Sequence, residues 1–473
     1  MEAINGRSAG VAERSPDRAR VLALAALVSV GCVAYTPRPL DPRDELALLR
    51  ERAGAQVDLG AQASRAPAEW FPLEANVDFS DGLSLAEANS LALAYAPDVL
   101  RKRHEQRIAG AEILLAGLVS NPVLFLGPRL SARDADLVFP ASHSFPVPLW
   151  GRRGAEKEIA GHRFESVSFE VLNAELQALT EVRERFIRIA FLERELEMLE
   201  NLRADMERVV GWVERLAAAA EVDSVTLFLA QLELDEASAG AEETRAGIAS
   251  EKRALYGAIG LLPTAPIDVA LDTDPAALPD LPDPHDAALL RHPELASALA
   301  DYRRSESALK LEIRKQYPEV RLGPEYENDR GDSTIGVGLG IVIPLFGANR
   351  GGIAAAEALR DASRDRYRSL LLRLTHASAD ARAAWETAVR LLRSHREGAF
   401  QDAADAARAL SLRLRSGEAN VLEVLAAERA VARSRTRDLE LERRAAMARL
   451  RAAAAGGIVY EEAPAGPPSG ETP

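Results

Sequence analysis

The stretch that decides the fold runs from Ile335 to Leu345 and reads I-G-V-G-L-G-I-V-I-P-L. Large apolar side chains occupy every second position and glycines most of the positions between them, which is the period of a β-strand. A half-buried strand of a water-soluble protein normally carries polar residues on its second face, and alternate glycines weaken a strand that nothing outside supports. The pattern favours a transmembrane strand with one face towards lipid; the alternative is a hairpin packed on a soluble core.

The apolar face of this strand is the predicted lipid-facing surface. Its residues are Ile335, Val337, Leu339, Ile341 and Ile343. The preceding stretch, Pro318 to Glu327, also alternates between apolar residues and charged residues or glycine. The two stretches together predict a β-hairpin over about 318–345, with aromatic residues near the strand ends, where a membrane interface favours them.

The end of this strand has a counterpart 196 residues earlier in the chain. Pro344-Leu345-Phe346-Gly347 echoes Pro148-Leu149-Trp150-Gly151, and Pro293 echoes Pro97 at the same offset. Punctuating residues at one fixed offset indicate a tandem structural repeat. Each copy therefore has a predicted strand-to-helix junction, marked by Pro148 and Gly151 in the first half and by Pro344 and Gly347 in the second.

The remaining sequence predicts long helices. Between Leu172 and Leu216, apolar residues recur at an average spacing of about 3.4 residues, close to the coiled-coil period. A helix that begins at Arg152 and includes this stretch is roughly 100 Å long, too long for a globular core, so that such helices must pack side by side. Ser84 and Glu87 form a predicted capping box for the first helix, which Pro97 must break or kink.

We expect each repeat to contain a helix, a β-hairpin, a long helix and a second helix. In the second repeat the helices are expected over 284–316, 349–415 and 421–455. The predicted division of the chain is a signal peptide at 1–31, an N-terminal periplasmic extension at 32–82, a first repeat at 83–262 with its hairpin at about 122–149, a linker at 263–283, a second repeat at 284–455 with its hairpin at about 318–345, and a disordered tail at 456–473.

The N-terminus is typical of an exported protein. Arginines precede an apolar run from Val21 to Val30 that is too short to span a bilayer, and Cys32 follows it. A lone cysteine at this position resembles the lipidation site of bacterial lipoproteins, although Ser29 stands where leucine is usual. The alternative is a cleaved signal peptide with an incidental cysteine. Because Cys32 is the only cysteine, disulfide bonds within the chain and cysteine-based metal sites are excluded.

Composition and motifs exclude several classes of function. The 72 acidic residues outnumber the 58 basic ones, and the net charge of −14 argues against a nucleic-acid partner. No histidine spacing suits a metal, no glycine pattern fits a dinucleotide, and no serine has a nucleophile-elbow setting, so that we expect no enzyme, no metal site and no cofactor. Two hairpins supply four strands, which are too few to close a barrel; membrane strands would therefore require several chains.

Several motifs resemble those of TolC-like outer-membrane efflux proteins. They include Leu83-Ser84-Leu85-Ala86-Glu87-Ala88, the junction Phe145-Pro146-Val147-Pro148-Leu149-Trp150-Gly151, and Leu414-Arg415-Ser416-Gly417-Glu418-Ala419-Asn420-Val421-Leu422-Glu423. The resemblance spans about Leu83 to Ala455, and it departs from the family pattern at Glu221, which stands where the second repeat has Gly417. Each motif is loose alone, and their order and duplication make the match specific.

The resemblance implies a mainly α-helical fold with a transmembrane β part. It implies a homotrimer with a long α-helical tunnel across the periplasm and a shared twelve-stranded β-barrel in the outer membrane of a Gram-negative bacterium. The implied function is the outer-membrane channel of a tripartite efflux or export system. Its implied partners are a periplasmic adaptor protein, an inner-membrane pump and outer-membrane lipid. The alternative from another class is a periplasmic or surface-anchored coiled-coil scaffold lipoprotein.

The resemblance also assigns the two helix breaks to the periplasmic tip, where the adaptor binds and the tunnel narrows. The candidate tip residues are Asp223, Arg415, Gly417, Glu418, Asn420 and Glu423. Three-fold repetition would turn the acidic members into carboxylate rings that favour cations. The alternative is that Asp223 and Glu418 cap helices and Glu423 lies on a solvated face. Arg415 could pair with one of these acids across subunits.

Overall fold

The structure is a computed structural model of the 473-residue chain. It describes residues 35–52, 71–74, 77–119, 121, 123–126, 129–130, 137–138, 141–271, 274, 276–277, 289–329, 332–344, 346–398, 405, 408–410 and 421–456. The chain divides into two units, Met1–Leu49 and Arg50–Pro473. In the first unit, residues 35–41 precede helix α1 (Pro42–Glu51), whose last two residues belong to the second. The Asp41 carboxylate accepts a hydrogen bond from the Arg43 amide at 2.8 Å.

The first half of the second unit contains two short helices, a β-hairpin and two long helices. These elements are α2 (Leu85–Tyr95), α3 (Pro97–Gly117), β1 (Val123–Leu126), β2 (Arg129–Leu130), β3 (Leu137–Val138), β4 (Ala141–Val147), α4 (Arg152–Ala218) and α5 (Ser224–Ala258). The predicted capping box is confirmed, because the Glu87 amide donates to Ser84 Oγ at 3.2 Å and the Ser84 amide donates to Glu87 Oε2 at 2.9 Å. The predicted break at Pro97 is also confirmed, since α2 ends two residues before it.

The named elements of the second half are one helix, a β-hairpin and two long helices. They are α6 (Pro293–Arg314), β5 (Glu319–Asp329), β6 (Asp332–Val342), α7 (Arg350–Glu397) and α8 (Val421–Gly456). The prediction of one helix over 284–316 was wrong: α6 begins only at Pro293, after a turn at Arg291 and His292. Proline lacks the N–H that a helix interior needs, so Pro293 starts a helix here as Pro97 does. Within the range 349–415, where one helix is predicted, α7 ends at Glu397 before Gly398, and helical backbone is described again at 405 and 408–410.

Four of the strands form one antiparallel sheet in the order β1-β4-β5-β6, and β2 pairs with β3. In the β5–β6 hairpin, Leu322 lies opposite Leu339 and Arg321 lies opposite Gly340. The last strand of each predicted hairpin ends earlier than predicted: β4 ends at Val147 instead of about 149, and β6 ends at Val342 instead of about 345. Pro148 directly follows β4, and a proline cannot donate a hydrogen bond to a neighbouring strand.

The main core surrounds the middle of α4. It joins α2, the end of α5, the start of the predicted linker and the end of α8, and Leu91, Phe186, Leu255 and Leu450 are all at most 1% exposed within it. Helix α4 has 67 residues and is about 100 Å long. Because no single core can enclose that length, the other helices pack at successive levels along it. In its first part α4 packs between α3 and α6, and in its last part it packs on α5.

Candidate functional site

The predicted lipid-facing residues form an exposed apolar surface on the sheet. Ile335, Val337, Leu339 and Ile341 lie on alternate residues of β6 and are 52–80% exposed; Ile343, which follows the strand, is 57% exposed. The register continues this face through Leu322 of β5 to Phe145 of β4. A contiguous exposed apolar surface of this kind indicates contact with lipid or with another protein surface.

The opposite face of the same sheet is polar. Arg321 and Glu325 of β5 lie opposite Gly340 and Gly336 of β6, and Ser142 of β4 lies opposite Glu325. The glycines of the I-G-V-G-L-G stretch therefore share a face with charged side chains of the neighbouring strand. Sequence alternation predicts which residues share a strand face, whereas the pairing between strands requires the register.

The two strand-to-helix junctions reverse the chain by left-handed backbone conformations. In the first, Trp150 and Gly151 have φ angles of 62° and 68° and α4 starts at the next residue. In the second, Gly347 has a φ of 94°, and Ala348 and Asn349 add two further left-handed residues before α7. Glycine adopts this region without a steric cost, which explains the glycine at each junction. The segment between the proline and the following helix is thus two residues longer in the second junction than in the first.

The junctions are tied to the C-terminus of α6 by polar side chains. The Arg152 guanidinium donates to the carbonyls of Arg314 at 3.3 Å and Tyr317 at 2.6 Å, and Arg314 in turn donates to the Gly151 carbonyl at 2.5 Å. Cations at a helix C-terminus satisfy carbonyls that have no partner within the helix. This cluster holds the start of α4 against the end of α6, where the strands begin.

Asn349 makes the equivalent attachment for α7. Its side-chain amide donates to the Glu312 carbonyl at 2.9 Å and to Glu312 Oε2 at 2.7 Å, and this hydrogen bond holds the pKa of Glu312 below its usual range. Trp150 stacks on Tyr317 with their ring centres 5.2 Å apart and donates to the Pro318 carbonyl at 2.9 Å. These aromatic rings lie at the end of the sheet, where the sequence predicts the membrane interface.

The break between α4 and α5 is a capped turn. Asp223 is the N-cap of α5, and its Oδ1 accepts hydrogen bonds from the Thr226 amide at 2.8 Å and the Thr226 hydroxyl at 2.6 Å, which hold the pKa of Asp223 below its usual range. At the end of α4, the Glu221 amide donates to the Leu216 carbonyl and the Ala220 amide to the Ala217 carbonyl, a Schellman arrangement with Ala220 left-handed at a φ of 60°. These contacts are those of a helix cap, which is the alternative role that the sequence offered for Asp223.

Arg415, Gly417, Glu418 and Asn420 lie outside the described residues, as does the predicted lipidation residue Cys32. Glu423 is exposed in the first turn of α8.

One ion pair near the tips was not predicted from the sequence. The Arg429 guanidinium of α8 donates to Glu233 of α5 with Nε 2.9 Å from Oε2, pairs with it a second time through Nη2, and lies 3.5 Å from Glu236. Glu233 and Arg429 are separated by the repeat offset of 196 residues. The offset was the available signal: equivalent positions of opposite charge in two like halves are candidates for pairing.

Arg183 and His292 are buried basic groups near the main core. Arg183 of α4 is 4% exposed and donates to the Ala277 carbonyl at 2.8 Å, and burial lowers the pKa of its guanidinium to about 10. Burial also lowers the pKa of His292, whose Nδ1 accepts from the Glu294 amide at the start of α6. Arg183 satisfies a main-chain carbonyl in the connection between α5 and α6, and His292 satisfies an amide in the first turn of α6. These contacts fix the connection that leads into α6 and the start of that helix.

The described residues contain neither a metal-binding cluster nor a helix able to span a membrane. Within them, no group of three or more histidine, cysteine, aspartate or glutamate residues is arranged to hold a metal ion. No helix among them has both the length and the hydropathy needed to cross a bilayer.

The sequence pattern of the outer membrane efflux protein family matches residues 285–457. The cobalt-zinc-cadmium resistance protein CzcC of Cupriavidus metallidurans is 25% identical over 402 residues, covering 82% of this chain and 91% of that protein.

Solved structures show the same fold. The outer membrane protein VceC of Vibrio cholerae matches with a TM-score of 0.66 and 20% identity over 79% of this chain and 96% of that chain. The open-state MtrE outer membrane channel of Neisseria gonorrhoeae matches with a TM-score of 0.68 and 16% identity over 90% of this chain and 99% of that chain.

Proposed function

We propose that this chain is an outer membrane efflux protein and that three copies assemble into one duct in the outer membrane that exports divalent metal cations. In this proposal each copy consists of two tandem repeats and contributes four strands to a shared twelve-stranded barrel. The helices of the three copies form a tunnel below the barrel.

The assembly is inferred from the order in which the helices and strands pack side by side. The first and last elements of this order each have a neighbour on one side only. Near the sheet, the helices pack side by side in the order α3, α4, α6, α7. Near the tips, they pack in the order α5, α4, α8, α7. The sheet follows the same order from β1 to β6. Among the described residues, α7 packs on neither α3 nor α5, so that one end of the order presents β1, α3 and α5 and the other presents β6 and α7.

Both free ends expose apolar side chains. On α3 and its C-terminal extension, Leu114, Leu115 and Leu118 are more than 65% exposed, and on α5 Val225 and Phe228 are about 60% exposed. On α7, Leu359, Leu372 and Leu391 are exposed. Two different apolar surfaces on one chain suit a head-to-tail contact, which closes into a ring when the rotation allows it. Such a ring would also pair the open edges of β1 and β6, as a membrane requires.

The partners follow from the family. We propose that a periplasmic adaptor contacts the tips, with Asp223, Arg415, Gly417, Glu418, Asn420 and Glu423 at or near the contact, and that an inner-membrane pump delivers the substrate. Cys32 is the proposed lipid anchor. A coiled-coil scaffold, the alternative function, has no use for the exposed apolar face of β6, which supports the channel.

Two observations favour metal cations as the substrate. The similar protein CzcC is named for resistance to cobalt, zinc and cadmium. The chain carries a net charge of −14, and an acidic conduit concentrates cations rather than anions. The duct needs no metal ligands for this role, because a conducted ion must leave each position as readily as it enters.

Membrane fractionation of the expressed protein tests the proposal. We expect the protein in the outer-membrane fraction, and on an unheated gel we expect it at three times the 51.0 kDa mass of the chain, minus any cleaved leader. A soluble or peripheral monomer would refute the duct. For the substrate, deletion of the gene should lower tolerance to zinc or cobalt, and unchanged tolerance with intact trimers would refute the cation assignment alone.

A further inference from the structure

The contacts of two helix pairs recur at the repeat offset of 196 residues. Between α3 and α4, the Gln106 side-chain amide donates to the Ser168 hydroxyl at 2.9 Å. Between α6 and α7, the Arg364 guanidinium donates to the Tyr302 hydroxyl at 3.2 Å. Each partner of the second contact lies 196 residues after its counterpart in the first. The two pairs therefore pack in the same register, which supports the tandem repeat of the proposed function.

The contact between α4 and α6 indicates an equivalent contact outside the single chain. Ser166 of α4 and Ser297 of α6 have their hydroxyl oxygens 3.1 Å apart. Beside them, Glu165 of α4 pairs with Arg303 of α6 at 2.9 Å. In the repeat, α7 corresponds to α4 and α3 corresponds to α6, so that the equivalent contact joins α7 to α3. Within the described part of the chain these two helices do not pack on each other. The equivalent contact therefore requires a second copy.

The positions that this contact needs are exposed in the single chain. Ser166 and Ser297 are 0% and 7% exposed, because α4 and α6 cover each other there. Their equivalents, Ala362 of α7 and Arg101 of α3, are both exposed. The same side of α3 and its C-terminal extension, at 7, 14 and 17 residues beyond position 101, carries three large apolar side chains that are more than 60% exposed: Ile108, Leu115 and Leu118.

The two surfaces carry complementary charges. Arg107 of α3 is the equivalent of Arg303, and both are basic. Asp361 of α7 is the equivalent of Glu165, and both are acidic. Asp361 accepts hydrogen bonds from the adjacent Arg360 through Oδ1, and its Oδ2 can accept from a second guanidinium. The ion pair between α4 and α6 thus has an equivalent of the same sign between α7 and α3 of another copy.

Nearer the strands the equivalent contact becomes apolar. Lys310 of α6 lies 3.6 Å from Glu158 of α4. Their equivalents are Leu114 of α3, which is 69% exposed, and Ala354 of α7, which is also exposed. A leucine opposite an alanine buries apolar area where the single chain has an ion pair. The exposed leucines at the end of α3 are therefore accounted for by the same register.

We propose that α3 of one copy packs on α7 of the next copy in the register in which α6 packs on α4, with Arg107 paired to Asp361 of the neighbouring copy. The inference rests on the proposed function, in which three copies close head to tail into a ring. It adds the residues that meet: position 101 faces position 362, and position 114 faces position 354. The same helix contact then alternates within and between copies around the ring.

Disulfide trapping in the full-length trimer tests the register. A disulfide needs Cα atoms no more than about 7 Å apart. We expect oxidised Arg101→Cys/Ala362→Cys to give linked dimers and trimers on heated, non-reducing gels, and a reductant to remove them. The matched control Arg101→Cys/Ala355→Cys moves the second cysteine by about 10 Å along the same side of α7 and should give no linked species. The single-cysteine variants control for Cys32.

The equivalent position pair within the chain supplies a positive control. Ser166→Cys/Ser297→Cys should form a disulfide inside one copy, seen as protection of both cysteines from thiol labelling in the denatured protein. Trimers of Arg101→Cys/Ala362→Cys that do not cross-link, although this control does, would overturn the register and leave the duct intact. Cross-linking through position 355 instead of 362 would overturn it as well.

The ion pair gives a second test that needs no disulfide and decides the matter if the cysteine variants fail to assemble. Asp361→Arg should lower the temperature at which the trimer dissociates, because Arg107 then faces a like charge. Arg107→Asp/Asp361→Arg should raise that temperature again. A double variant no more stable than Asp361→Arg alone contradicts the pairing. A natural protein that forms no trimer refutes the proposed function itself.

Discussion

Leu339→Arg is the sharpest test of the membrane strand. Leu339 is the middle residue of the apolar face from Ile335 to Ile343, which at about 3.4 Å per residue and a tilt of about 40° rises roughly 21 Å, close to the apolar band of about 25 Å in outer-membrane barrels. It therefore lies near the centre of the bilayer in the proposed barrel. An arginine there costs about 2–4 kcal/mol per copy, or roughly 6–12 kcal/mol for a trimer.

The same substitution has little effect if the strand lies in water. Leu339 is 61% exposed in the chain, and substitutions at exposed positions usually change stability by less than about 0.5 kcal/mol. Pulse-labelling, membrane fractionation and unheated gels would follow the yield of outer-membrane trimer. The control is Gly336→Arg on the polar face, where an added Cβ meets no atom within 4 Å and the neighbouring strand carries Glu325 opposite. Equal trimer yields for the two variants would refute the assignment of this face to lipid.

Three further predictions concern the tips. Hydrogen bonds to the Asp223 carboxylate lower its pKa in the folded state, so its stabilisation of α5 is complete above the unfolded pKa of about 3.9 and is lost as pH falls through the folded pKa. Hydrogen exchange of the first turn of α5 should become faster in that pH range, and Asp223→Asn should remove this pH dependence. An Asp223→Asn variant with the same pH profile as the natural protein would contradict the prediction. Ala220→Gly should raise the thermal stability of the α4–α5 hairpin by about 1 kcal/mol, because alanine at a φ of 60° is strained where glycine is not; a lower melting temperature would argue against the Schellman turn. Alanine substitution of Glu233, of Arg429 and of both should give a coupling free energy of about 1 kcal/mol that weakens with salt, measured by thermal denaturation, and strictly additive effects would mean that the pair contributes nothing.

The sequence by itself determined the kinds of element and most of their bounds. The period of two from Ile335 onward predicted β6, the 3.4-residue spacing predicted a helix from Arg152 that the structure extends to Ala218, and Ser84 with Glu87 predicted a cap that the structure contains. These features depend on local preferences and on which side of an element is apolar, and both are written in neighbouring residues. The error at Pro293 was of the same local kind, because the break recognised at Pro97 applied there too.

The tertiary structure decided which distant residues meet. The sequence did not indicate that Arg152 would hold the carbonyls at the end of α6, and the 196-residue offset made Arg429 and Glu233 no more than candidates for pairing. Nor did it indicate which of the three glycines of β6 would lie beside the Glu325 carboxylate. Each contact depends on strand register or on the order in which helices pack, and a shift of one residue would replace every partner. Local composition constrains such choices weakly, because many pairings bury similar apolar area, and only the complete packing of α4 with its neighbours selects one of them.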